Sequence, residues 1–121
     1  MTTSSMTAPA LRSGWLVVAF LSSHVAWALH LMIVYPLVPA ACAMGSDWPL
    51  HLVSAITVAL TVSGGLFSWG LLRQAKLLAT SERRRAQRAR FLAWSGVAFG
   101  IAYTVVVIAE WLPVFFHGAC Q

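Results

Sequence analysis

Most of the reactive chemistry this chain can offer lies in a few residues: His24, His30, His51 and His117, Cys42 and Cys120, and Glu110. Neutral imidazoles can ligate haem iron or a soft metal, and thiols can bind copper or join as a disulfide. A carboxyl group within an apolar segment is costly unless it faces protein or water, and so asks for a partner. Spacing narrows these options. His24 and His30 are six residues apart, about 120° around a helix, so one helix cannot aim both at a single ligand. His30 and His51 are the one pair able to meet across two segments, with Glu110 from a third, and they are the candidate cofactor-binding residues. Bis-histidine haem ligation is the sharpest form of that reading; the other is that the histidines bond neighbouring helices. No H-x-x-x-H or H-E-x-x-H pattern occurs, so no dedicated metal site is expected. Cys42 and Cys120 are candidates for a disulfide, for two separate thiols or for a copper pair, and a bridge needs their Cα atoms within about 7 Å.

The elements that must position these residues follow from composition. The 121 residues are 60% hydrophobic and 9% charged, far from the makeup of a soluble domain. The apolar residues fall in three long runs instead of alternating with polar ones. Each run has about the 20 residues needed to cross a hydrocarbon core of about 30 Å, and helices are required because lipid leaves no partner for bare backbone groups. The sequence predicts an all-α integral membrane three-helix bundle: a tail at 1–13, a first span at 14–40, an outer loop at 41–48, a second span at 49–72, a basic loop at 73–90, a third span at 91–116 and an outer tail at 117–121.

Charge sets the expected orientation. Seven of the eight basic residues, Arg73, Lys76, Arg83, Arg84, Arg85, Arg88 and Arg90, lie between the second and third runs. The positive-inside rule places that loop in the cytoplasm, with the N-terminus and Arg12 on the same side and the C-terminus outside. A signal peptide cleaved near Ala26 and Ala28 is the competing reading, but it would strand Leu29 to Ala41 as an apolar stub too short to cross. The basic loop serves topology and anionic lipid headgroups, and nucleic acid is not an expected partner. From Ser81 as N-cap, with Glu82 in the first turn, the loop can turn helical and run into the third span.

Five tryptophans, Trp15, Trp48, Trp69, Trp94 and Trp111, stand near expected helix ends, where indoles sit between headgroups and acyl chains. Trp27 lies mid-span and is expected to face another helix. Ser54, Thr57 or Val58, Thr61, Gly64 or Gly65 and Ser68 form a small, weakly polar stripe on the second span, and Gly96, Gly100 and Thr104 form a small-xxx-small series on the third. The stripes can pack on each other within the chain, on another subunit or on a second copy.

No glycine-rich phosphate loop, G-x-S-x-G or other catalytic pattern is present, and three acidic residues are few for acid–base work, so an enzyme is not expected. Three spans also lack the inverted repeats of many carriers. The stretch His24-Val-Ala-Trp27-Ala-Leu-His30, followed by Tyr35-Pro36-Leu-Val-Pro39-Ala-Ala-Cys42, resembles small three-span proteins associated with bacterial haem-copper oxidases. The resemblance covers about a quarter of the chain and implies an accessory or assembly role beside a respiratory complex, with no ligand residues assigned. The expected function is a non-enzymatic accessory subunit in contact with lipid and other membrane subunits. The alternatives are a small haem- or copper-binding protein using His30 and His51, and a homo-oligomeric channel or carrier lined by hydroxyls of the second span.

Overall fold

A computed structural model describes residues 13–76, 83–118 and 120. They form three helices in chain order, α1 (Ser13–Met44), α2 (Trp48–Lys76) and α3 (Arg83–His117). Each is long and apolar enough to cross a membrane, and the three pack against one another as an antiparallel bundle. The protein is an integral membrane three-helix bundle. One end carries Arg73, Lys76 and the residues from Arg83 to Arg90, and is called the basic end. The opposite end carries both cysteines.

The helices run past the limits expected from hydropathy. α1 continues to Met44, which shortens the connection to α2 to residues 45–47. Gly45 ends it in the left-handed region, at φ 68°, where a residue without Cβ is unstrained. Its N–H donates to the Cys42 carbonyl at 3.1 Å, and the Ser46 N–H donates to the Ala41 carbonyl at 3.2 Å. That pair of bonds is a Schellman cap. Asp47 then opens α2, its carbonyl accepting from the Leu50 and His51 N–H groups, and Pro49 falls in the first turn, where a missing N–H costs nothing. α3 also ends on a glycine: Gly118, at φ 69°, donates to the Val114 carbonyl at 3.2 Å.

α3 starts at Arg83, well before the apolar run at 91. Alanine and arginine are good helix formers, and Ala86, Ala89 and Ala93 are buried along one face of this segment. Ala89 and Ala93 join Leu16, Ala19, Leu71, Leu72 and Ala75 in the core at the basic end. Arg12, the N-terminal tail to residue 12, and the expected cap at Ser81 and Glu82 lie outside the described residues.

The small-residue stripes determine how the helices meet. A Cβ on Gly100 would stand 2.7 Å from the Gly65 Cα, and one on Gly96 would run into the Ser68 side chain. The backbones of α2 and α3 therefore touch where both lack side chains. Thr104 donates to Thr61 at 2.9 Å, and Ser68 donates across to the Ala19 carbonyl of α1 at 3.3 Å. Ser54, Thr57, Thr61 and Ser68 are all buried inside the bundle. Gly70 lies outside this contact, with no atom within 4 Å of the place a Cβ would take, and Gly70→Ala is expected to raise stability by about 0.5–1 kcal/mol in a detergent unfolding titration.

Candidate functional site

The polar groups toward the cysteine end form two neighbouring sets. In the first, His30 of α1 is buried, at 3% exposure, and its Nδ1 lies 3.0 Å from the Thr57 Oγ1. The Thr57 hydroxyl already donates its only proton to the Val53 carbonyl at 2.8 Å. Thr57 can then only accept, so the His30 Nδ1–H is the donor and the Nε2 lone pair points elsewhere. It points toward Glu110 of α3, with Nε2 3.7 Å from Oε2. The contact ties all three helices at one level.

The second set belongs to α2 and α3. The Trp111 indole N–H donates to the His51 Nδ1 at 2.8 Å, and the His51 ring lies 4.7 Å from that of Phe115. Because Nδ1 accepts, the neutral ring of His51 carries its proton on Nε2. Trp111, expected only as a membrane-interface anchor, thus also bonds inside the bundle, which its place near a helix end did not signal. Trp15, Trp48, Trp69 and Trp94 are exposed on the outside of the bundle.

Haem ligation by His30 and His51 requires an unprotonated nitrogen from each, converging on one iron. The His51 Nδ1 lone pair is taken by Trp111, its Nε2 is protonated, and the His30 Nε2 is turned to Glu110. The two imidazoles have different partners and the structure does not set them around a common ligand. Among the described residues no group of three or more His, Cys, Asp or Glu side chains is placed to hold a metal ion.

Cys42 and Cys120 form a disulfide with a Cα–Cα distance of 5.2 Å. It fastens the last turn of α1 to the segment after α3, across the mouth of the connection that starts α2. His117 is exposed at the end of α3. His24 lies deeper and apart from these groups. Its Nδ1–H donates to the Phe20 carbonyl at 3.1 Å, and its ring packs on Phe99 at 4.4 Å and on Tyr103 at 5.0 Å. Trp27 stacks on the same Tyr103 at 5.2 Å, so it faces α3, though its buried N–H has no partner among the described residues. Phe99 and Tyr103 carried no signal in the sequence beyond being aromatic.

The two partners at the centre of the site should respond unequally to substitution. His30→Ala removes a buried ring and an interhelix hydrogen bond and is expected to lower stability by on the order of 2 kcal/mol. Glu110→Gln keeps the shape of a side chain that is 37% exposed and is expected to cost less than about 1 kcal/mol. Unfolding titrations of the two variants in the same detergent check the order.

Compared with protein-family models, with curated proteins and with solved structures, the chain matches none of them.

Proposed function

We propose that the protein is a non-enzymatic accessory or assembly subunit that packs against a larger complex in the bacterial cytoplasmic membrane, with its N-terminus in the cytoplasm and its C-terminus outside. The observation that carries the reading is the placement of Glu110. It stands seven residues before the end of α3 at His117, about 10 Å along the helix from that end. One carboxylate oxygen faces His30, while 37% of the side chain is open to the outside of the bundle. An ionisable group at that depth is costly unless protein or water meets it, and a donor from another membrane subunit meets it without disturbing the internal bonds.

The rest of the molecule supports contact over chemistry. The hydroxyls of Thr57, Thr61, Ser68 and Thr104 and the imidazoles of His30 and His51 are spent on bonds within the chain. The small-residue stripes are used within the bundle, between α2 and α3 and against α1, which leaves partner contact to the outward faces and to Glu110. The assignment to a respiratory oxidase rests on the resemblance of the His24 to Cys42 stretch alone.

The test is purification of the tagged full chain from native membranes in mild detergent, with mass spectrometry of whatever copurifies. The expected result is a membrane complex in fixed stoichiometry, containing haem-copper oxidase subunits. Glu110→Leu should weaken its recovery severalfold while helicity and the disulfide persist. A chain that leaves the native membrane alone, or a complex indifferent to Glu110→Leu, contradicts this reading.

A further inference from the structure

The contact between α2 and α3 leaves an open furrow on its outer side. Because Gly65 and Gly100 lack side chains, a cavity of about 310 Å³ remains there, walled by Leu66, Trp69, Val97 and Ile101. It runs from Trp69 and Val97 toward Thr61 and Val105. At 1.5 Å per residue that is about 12 Å, close to the depth of one leaflet of a hydrocarbon core of about 30 Å. Its volume is in the range of small-molecule pockets, roughly 300–1,000 Å³.

Charges stand at the basic mouth of this furrow. The register pairs Thr61 with Thr104 and Gly65 with Gly100, which sets Arg73 about one turn and Arg90 about two turns beyond the furrow, within about 3 Å of the same level. Helical periodicity of about 100° per residue puts Arg73 and Lys76 on the furrow side of α2 and Arg83 and Arg90 on the furrow side of α3. The same periodicity turns Arg84 and Arg88 by more than about 120° from the furrow. Arg73 and Arg90 are exposed, as are Trp69 and Trp94 between them and the apolar channel. From the membrane interior outward, the order is therefore apolar channel, indole belt, guanidinium pair.

We propose that this furrow and its basic mouth bind one anionic phospholipid. An acyl chain lies in the channel beside Gly65 and Gly100, and the phosphate is held by Arg73 and Arg90, with Lys76 and Arg83 adding charge. Arginine side chains suit this role because their stems pass along apolar surface while the guanidinium reaches the headgroup level and meets phosphate through paired N–H groups. The choice of a lipid over a partner helix rests on this charge complementarity: a helix filling the channel would leave four cations at its end without counter-charge.

The test uses the full chain with its disulfide intact, in detergent, titrated with phosphatidylglycerol or phosphatidylcholine and read by native mass spectrometry. One phosphatidylglycerol is expected to stay bound per chain, with phosphatidylcholine at least about tenfold weaker. The double variant Arg73→Gln with Arg90→Gln should weaken phosphatidylglycerol about 10- to 30-fold. Arg84→Gln with Arg88→Gln removes equal charge and should change it less than about twofold. Ile101→Trp, placed at a position 62% exposed, should fill the channel and abolish retention; Leu66→Trp, 66% exposed, repeats the test from the other wall, with helicity confirming the fold of each. Equal binding of both lipids, equal losses in the two arginine pairs, or retention in both tryptophan variants overturns the proposal. So does a lipid-free dimer that these tryptophan variants break, which would seat a second copy in the furrow.

Discussion

Replacing Gly100 by valine is expected to lower the stability of the bundle by about 3 kcal/mol. A Cβ at this position would stand 2.7 Å from the Gly65 Cα, 3.1 Å from the Gly65 nitrogen and 3.4 Å from the Thr61 carbonyl oxygen. All three are backbone atoms, so no side-chain rotation relieves the clash and α3 must move off α2. That movement also breaks the Thr104 to Thr61 hydrogen bond and opens the level at which Glu110 reaches His30. In lipid no hydrophobic gain restores the contact, because helix association there rests on close packing and interhelix bonds. The loss is read in a detergent unfolding titration against Gly70→Ala as the control for glycine content. A Gly100→Val protein as stable as the parent would mean that α2 and α3 do not cross at these glycines.

Loss of the disulfide is the second large effect. Cys42 and Cys120 are 78 residues apart in sequence, and the chain-entropy relation assigns a loop of that length about 4.5 kcal/mol. That figure is an upper bound for this protein, since a bilayer already confines the unfolded helices and lowers the entropy the bridge removes. Cys120→Ser is therefore expected to cost about 2–4 kcal/mol, and the oxidised parent treated with a reductant should lose a similar amount. The effect should concentrate at the cysteine end, with faster hydrogen exchange in the last turns of α1 and α3, while the core of Leu16, Leu72 and Ala93 at the basic end stays protected. A uniform change along the bundle, or none, would count against the bridge as the strap of that end.

The spans were legible because a membrane helix declares itself by length and by lack of charge, and all three runs do so. Which face of each helix turns inward was only partly legible. In lipid every face is apolar, so hydropathy carries no rotational information, and only departures from it, such as the Gly96 and Gly100 pair or the Ser54 to Ser68 stripe, point to the interior. His30 and Glu110 could be named from chemistry, and Thr57 stood in the stripe as one of two choices beside Val58. Their meeting depends on the rotation and depth of three helices at once. The Trp111 to His51 bond was hidden by a general rule: a tryptophan near a helix end reads as an interfacial anchor whether or not its N–H is used. The extension of α3 down to Arg83 was legible from the helical continuation expected after Ser81, and not from hydropathy, which marks the membrane boundary and not the end of a helix.

His30 bonds Thr57 of α2 and faces Glu110 of α3, and His51 receives a bond from Trp111; the proposed accessory role has these two histidines serve packing. The reduced-minus-oxidised visible spectrum of the isolated, purified chain tests this most directly. No haem band is expected to stay with the chain once its partners are removed, in the parent and in the His30→Ala variant alike. A band that stays with the isolated chain and disappears on replacement of His30 or His51 would make the protein a redox carrier and contradict a packing role for these residues.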